Sequence, residues 1–234
     1  MLDAGCGVGY GARMLAEAGA AEVVAVDVSE TALDEASRYF AHPRVRLVRD
    51  DCETLTMVDG PFDAIVAFES LEHFQEPAVF LERAASLLSP DGIFICSTPN
   101  SLVFLTASDG RPKNPYHVHE YKPEEFHALL GGYFGEVSVR GQHLTATFRF
   151  AAQLALLWSN PFIRLGFLVQ RLRGRKVRWR APSVNCTEAD YVIREDELSS
   201  AEVLVGVCRR PMLRAAKETY GIVAEARTTR SGRF

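Results

Sequence analysis

Along the first hundred residues, short apolar runs alternate with longer stretches in which apolar positions recur at helical spacing. The runs are Leu2-Asp3-Ala4, Ala21-Glu22-Val23-Val24-Ala25-Val26-Asp27, Val45-Arg46-Leu47-Val48-Arg49, Phe62-Asp63-Ala64-Ile65-Val66-Ala67-Phe68 and Ile93-Phe94-Ile95-Cys96-Ser97. Runs of this length suit strands, and the ones with little polar alternation suit strands buried on both faces. The stretches between them predict helices over about 12–18, 30–40 and 77–88. Ser29 stands ready to cap the second, and Pro77 occupies a tolerated first-turn position of the third. Ser89-Pro90-Asp91-Gly92 predicts a turn, and Thr98-Pro99-Asn100 stops the fifth strand. Alternation of this kind implies an α/β fold with a doubly wound, mostly parallel sheet, right-handed crossovers and helices on both faces.

The pattern changes after Asn100. A long polar and aromatic connection covers 101–122, a helix is expected from Pro123 to about Leu130, and Gly131-Gly132 ends it. Phe134 to Gly141 predicts a sixth strand and Ala201 to Cys208 a last one, with no regular crossover between them. An antiparallel pairing of these two is therefore expected, for seven strands in all. The domain is expected to span 1–208, with an insertion over 144–200 and a polar tail over 209–234. Within the insertion, 151–172 is mostly apolar but broken at Asn160-Pro161. Arg171, Arg173, Arg175, Lys176, Arg178 and Arg180 then surround Trp179 with no acid among them. The stretch is too interrupted and too charged to span a membrane. Its favoured reading is a helical lid with a solvated basic flank. Peripheral contact of 151–180 with a membrane face, or a grip on an anionic lipid-linked substrate, stays open.

The chemistry begins at Leu2-Asp3-Ala4-Gly5-Cys6-Gly7-Val8-Gly9-Tyr10-Gly11. A strand end breaks here into a glycine-rich turn and then a helix, whose N-terminal amides face the same space. Gly7-x-Gly9-x-x-Ala12 satisfies a loose dinucleotide pattern. Asp3, however, sets a carboxylate in the turn, which repels a phosphate and attracts a cation. The turn thus suits a positively charged small ligand better than a pyrophosphate.

Asp3 to Gly11 resembles the first motif of class I S-adenosylmethionine-dependent methyltransferases, of the small-molecule type that includes the ubiquinone-pathway O-methyltransferases. The resemblance covers roughly Leu2 to Tyr121 and implies a Rossmann-like sheet with S-adenosyl-L-methionine as cofactor. It implies cofactor contacts from Asp3, Gly5, Cys6, Gly7, Gly9, Asp27, Val28, Asp51, Cys52, Phe68 and Glu69. Asp27 lies about twenty residues beyond the turn, where an acid takes both ribose hydroxyls; capping of the next helix is the alternative. Asp51 and Cys52 match the family's adenine-binding pair, with a surface turn as the alternative. Met1 falls inside the predicted first strand, whereas family members carry strand residues and a helical segment before this point. The natural chain is therefore expected to begin upstream, or an internal start to have been chosen, leaving part of the substrate cover outside the sequence.

Composition adds bounds rather than direction. At 234 residues, 47% hydrophobic and 24% charged, one domain with a sizeable core is expected. A net charge of -4 gives no pull toward nucleic acid, and no nucleic-acid partner is expected. The five cysteines have neither metal nor disulfide spacing, which fits reduced thiols in a cytoplasmic protein.

Methyl transfer from a sulfonium asks mainly for alignment, which supplies up to about 7–11 kcal/mol in ideal cases. A hydroxyl acceptor also needs a base or a metal. Glu69, Glu72 and His73 are spaced i, i+3, i+4 and would share one face of a helix. Tyr116-His117-Val118-His119-Glu120-Tyr121 forms a second cluster that could converge on the first. The candidate bases are His73, His117 and His119. The reading favours no metal; Glu69, Glu72, His73 and His117 are the ligands if one is used, since Glu-x-x-Glu-His with a later histidine also resembles the small-RNA 3′-end methyltransferases. Manganese, iron or zinc would then suit the donors better than magnesium. The expected acceptor is a small molecule methylated on oxygen: a sugar, a quinone or a secondary metabolite. A non-catalytic S-adenosylmethionine-binding protein, a lipid-linked or RNA acceptor and a nicotinamide oxidoreductase are the alternatives. Nothing in the sequence sets an oligomeric state.

Overall fold

A computed structural model describes residues 1–103, 112, 114–145 and 191–212. The chain divides into two compact units, Met1–Gly141 with Glu195–Phe234, and Gln142–Arg194. Eight strands lie within the described residues, one more than the pattern predicts.

In the first unit, β1 (Leu2–Ala4), α1 (Tyr10–Glu17), β2 (Val23–Asp27), α2 (Glu30–Tyr39), β3 (Val45–Arg49), β4 (Phe62–Ala67), α3 (Pro77–Leu87) and β5 (Leu88–Pro99) follow one another. Then come α4 (Pro123–Gly131), β6 (Phe134–Leu144) and β8 (Val203–Pro211). The last residues of β6 belong to the second unit, together with β7 (Tyr191–Arg194), an exposed strand that lies inside the expected insertion. The first unit's strands run in the order β3-β2-β1-β4-β5-β8-β6. β1 pairs in parallel with β2 and β4, β2 with β3, and β4 with β5. β8 runs antiparallel to β5, from Ile93 opposite Arg209 to Pro99 opposite Val203. The antiparallel last strand is as expected, but it lies between β5 and β6, so its antiparallel partner with a defined register is β5.

The core follows from the alternation of side chains along each strand. In β2, Val24 and Val26 enter the larger apolar cluster, whereas Val23 and Ala25 enter a smaller one with Ala12 and Ala16 of α1. The sheet is thus covered on both faces, as the unbroken apolar runs require. The larger cluster is knit by aromatics: Phe80 lies 5.0 Å from Phe74 and 6.0 Å from Phe94, and Phe94 stacks on Phe134 at 5.0 Å.

One expected turn is corrected. Ser89–Gly92 is drawn into β5, whose pairing with β4 shifts register between Phe62 and Ala64. The turn residues sit in an irregular stretch of strand, where glycine and proline are tolerated as they are in a bulge. The expected stretch 151–180 and residues 213–234 of the expected tail, with Cys186, lie outside the described residues, while 209–211 of that tail belong to β8, which continues through Pro211. Among the described residues, no helix is long and apolar enough to cross a membrane.

Candidate functional site

The turn after β1 is fastened to the end of β2. The amides of Gly5 and Cys6 both donate to the Val26 carbonyl at 2.9 Å, and the Gly7 amide donates to Asp27 Oδ2 at 2.8 Å. Asp27 Oδ1 accepts from the Ser29 amide at 2.8 Å, while Ser29 Oγ caps α2 by accepting from the Ala32 amide. Asp27 therefore serves the turn and the helix start together. Each of its oxygens keeps a lone pair for a further donor. Two glycines are required sterically. Gly5 has φ 78°, and a Cβ there would collide with Ser70 Oγ. Gly9 has φ 81°, and a Cβ would lie 2.7 Å from Ala36 Cβ, so the bare backbone lets α1 start against α2.

A cavity of about 440 Å³ opens at the C-terminal ends of the central strands. Gly5 comes from the turn after β1, Asp27 and Val28 from the end of β2, and Asp51, Cys52 and Glu53 from the loop after β3. Glu69, Ser70, His73 and Phe74 follow β4. Open parallel sheets bind ligands in such crevices. Four carboxylates line it, and among the described residues no lysine or arginine does. Asp3 lies buried beside the turn; desolvation first, and then the Asp27 charge, push its carboxyl up to about 6. Burial likewise pushes the Cys52 thiol up to about 12. A bare-backbone turn with a buried acid behind it and acids around it fits a small cation carrying hydroxyls, and opposes a pyrophosphate.

The loop after β3 separates two neighbouring acids. Asp50 is buried and spoken for, accepting from the amides of Asp51 and Met57 and from Thr56 Oγ1. Asp51 is exposed at the cavity. Glu53 ties this loop to the entry of α3 by accepting from the amides of Gln75 at 2.7 Å and Glu76 at 3.0 Å.

Beyond β4, the shared helical face predicted for Glu69, Glu72 and His73 is not formed. Glu69 lies outside the turn at φ 50°, and only Leu71–His73 makes a single 3₁₀ turn. The reason is local: Ser97 Oγ donates to Glu69 Oε1 at 2.6 Å and the Glu69 amide bonds Ser97, which fixes Glu69 to the end of β5. Glu72 is buried at 1% exposure and accepts from Thr98 Oγ1 at 3.1 Å. Desolvation is the largest cause that raises its carboxyl to about 7, with the Glu69 charge adding to it. The Glu72 carbonyl accepts the amides of Val118 and His119, docking the second cluster onto the 3₁₀ turn.

His73 and His117 converge, with ring centroids 4.9 Å apart, edge to face. His73 Nδ1 lies 2.9 Å from the Tyr116 carbonyl, which can only accept, so the ring proton sits on Nδ1 and Nε2 carries a lone pair. His117 Nδ1 meets Glu120 Oε1 at 2.8 Å, and its Nε2 meets the Asn114 amide nitrogen at 2.8 Å. His119 does not join this group; its Nε2 is 3.8 Å from Glu125 of α4 and its ring packs edge-on to Tyr121.

Of the expected cofactor residues, Gly5, Asp27, Val28, Asp51, Cys52 and Glu69 line the cavity. Asp3, Cys6, Gly7, Gly9 and Phe68 are not in its wall. Asp3, Cys6, Gly7 and Gly9 build the turn, and Phe68 is half exposed at the end of β4. Sequence reasoning missed Glu53, Ser70 and Phe74. The signal for Ser70 was the bare Gly5 it touches, whereas Glu53 has partners more than twenty residues away and gave none.

Comparison with known proteins finds likenesses to methyltransferases over part of the chain. Residues 2–96 match the family model described as "Methyltransferase domain". A Mycobacterium tuberculosis protein named "Probable S-adenosylmethionine-dependent methyltransferase" is 38% identical over 131 residues, covering 56% of this chain and 46% of that protein. The ubiquinone biosynthesis O-methyltransferase of Neisseria meningitidis is 35% identical over 104 residues, covering 43% of this chain and 44% of the relative. The chain spans about half the length of these curated relatives. Among solved structures, an S-adenosylmethionine-dependent methyltransferase from Mesorhizobium loti superposes with a TM-score of 0.54 at 18% identity, covering 89% of this chain and 90% of its own. A [4+2]-cyclase matches with the same TM-score at 22% identity, covering 90% of this chain and 75% of its own. These two likenesses are of fold alone, and one fold hosts different chemistries.

Proposed function

We propose, from the match of residues 2–96 to the methyltransferase domain model, that the protein transfers a methyl group from S-adenosylmethionine to an oxygen of a small-molecule acceptor. The observation that carries this reading is the cavity at the strand ends, ringed by acids and backed by the buried Asp3. Asp27 would take the ribose hydroxyls through its remaining lone pairs, Asp51 and the Cys52 backbone the adenine edge, and the Asp3 charge would attract the ammonium end. The bound cofactor supplies an already activated methyl. The chain's task is then to orient the acceptor, exclude water and take a proton. His73 is suited to the last of these, because the Tyr116 carbonyl holds its proton on Nδ1 and its Nε2 lone pair is free to accept one. O-methylation is favoured by the likeness to ubiquinone biosynthesis O-methyltransferases and by this base.

The test is transfer of labelled methyl from S-adenosylmethionine to a panel of hydroxylated acceptors, with His73→Ala alongside. Transfer to at least one acceptor, reduced about 10²–10⁴-fold in the variant, is expected for loss of a general base. Cofactor binding without transfer to any acceptor would contradict the reading.

A further inference from the structure

We propose that Glu53 is a positioning residue for the purine end of the cavity. Its amide holds Asp51, its carboxylate fastens the loop after β3 to the entry of α3, and the two together make the site select an aminopurine over an oxopurine. The selection rests on the S-adenosyl reading of the cavity; the fastening stands on geometry.

The loop after β3 is braced at several points. The Glu53 amide donates to Asp51 Oδ1 at 2.8 Å, an Asx turn that sets the direction of the carboxylate. Among the described residues no donor meets Asp51 Oδ2. The Asp51 carbonyl accepts the amides of Thr54 at 3.2 Å and Leu55 at 2.8 Å. Leu55 then takes φ 46°, a left-handed conformation that a leucine keeps only where its surroundings impose it. They do so here. The Leu55 side chain is fully buried in the larger apolar cluster, and Arg83 of α3 donates to the carbonyls of Leu55 at 3.2 Å and Val58 at 3.0 Å. Strain of this kind gathers where a site needs a fixed geometry.

The Glu53 carboxylate is not an ordinary helix cap. A cap serves amides of the helix's first turn. Glu53 Oε1 and Oε2 instead accept from Gln75 at 2.7 Å and Glu76 at 3.0 Å, both ahead of Pro77, where α3 begins. The contact therefore joins loop to loop across 22 and 23 residues of chain. One amide on each oxygen fixes the orientation of the side chain. Asp51, Cys52, Glu53, His73 and Phe74 all line the cavity, so Glu53 ties two of its walls together.

This bracing has a chemical consequence. An aminopurine offers a donor at its amino group and an acceptor at the adjacent ring nitrogen, which match Asp51 Oδ2 and the Cys52 amide. An oxopurine reverses both: its carbonyl meets a carboxylate and its ring N–H meets an amide. Such pairings reject a ligand only when the protein groups cannot turn away from them. Glu53 denies them that freedom.

The experiment is calorimetry of the whole chain with S-adenosylhomocysteine and with S-inosylhomocysteine, which differs in carrying the oxopurine. The parent should prefer S-adenosylhomocysteine by at least about 100-fold. Glu53→Ala should weaken S-adenosylhomocysteine about tenfold or more and S-inosylhomocysteine less than about threefold, so the preference shrinks. Glu53→Gln keeps one acceptor oxygen and should fall between. Within Asp51→Ala, adding Glu53→Ala should cost less than about threefold, since its effect runs through Asp51. Should Glu53→Ala fail to fold in circular dichroism, Glu53→Gln carries the same comparison. Equal loss of both ligands means a structural role only and overturns the inference, as does an undiminished loss within Asp51→Ala. Parent binding of S-adenosylhomocysteine with no preference over S-inosylhomocysteine overturns it and leaves the S-adenosyl reading standing. No binding of S-adenosylhomocysteine by the parent overturns both.

Discussion

Asp27 illustrates how a single side chain joins local structure to the cavity wall. Its carboxylate accepts the Gly7 and Ser29 amides at 2.8 Å each, so it shapes the turn that it also faces. Asp27→Ala should cut S-adenosylhomocysteine affinity about 100-fold or more, with Asp27→Asn in between, since an amide oxygen replaces only one acceptor. Asp3 gives a pH signature. Its carboxyl is pushed up to about 6, mainly by burial, and a cationic ligand favours the ionised form. Affinity should therefore hold above pH 6 and fall as pH drops below it, in a calorimetric pH series; Asp3→Asn should flatten the profile. Gly5→Ala should lower stability by about 1–3 kcal/mol in thermal melts, since Ala adopts φ 78° only with strain and its Cβ meets Ser70. Asp27 and the glycines were legible in sequence because their spacing is set by one strand-turn-helix unit. Glu53, Ser70 and Phe74 were not, because the chain brings them to the cavity by tertiary contact.

At the scale of elements, strands read well where both faces are buried, since an unbroken apolar run leaves little else to form. The run Val23 to Asp27 is β2, and Phe62 to Ala67 is β4. Local rules failed where distant pairing overrode them. Ser89–Gly92 carries turn residues yet lies in β5, and Glu69 leaves helical spacing to bond Ser97. The connection after β5 had no periodicity to read, and Asn100 shows what anchors it. Buried completely, its side chain donates to the carbonyls of Leu198 and Ala201 at 2.8 Å, while its backbone bridges to Tyr121. Asn100→Ala should orphan those carbonyls at about 1–3 kcal/mol each. Hydrogen exchange should then quicken in 114–121, the stretch that carries His117, more than in α1.

For the whole molecule, buried acids set a stability that depends on pH. Asp3 and Glu72 have folded pKa values of about 6 and about 7, above their ordinary 3.8 and 4.5. Their contribution is fully present below the ordinary values and is lost as pH rises through the folded ones, up to about 3 kcal/mol for each. Chelator-treated, ligand-free protein should therefore melt lower at pH 8 than at pH 5 on their account, and Glu72→Gln should remove part of that slope. A cation in the cavity reverses the penalty at Asp3, so cofactor should stabilise more at pH 8 than at pH 5. The central claim is that the acid-ringed cavity holds an S-adenosyl ligand, and calorimetry of the parent chain with S-adenosylhomocysteine, with NADH in parallel, tests it most directly. The account predicts one S-adenosylhomocysteine site per chain, lost in Asp27→Ala, and no heat with NADH. Binding of NADH, or no heat with S-adenosylhomocysteine, would contradict it.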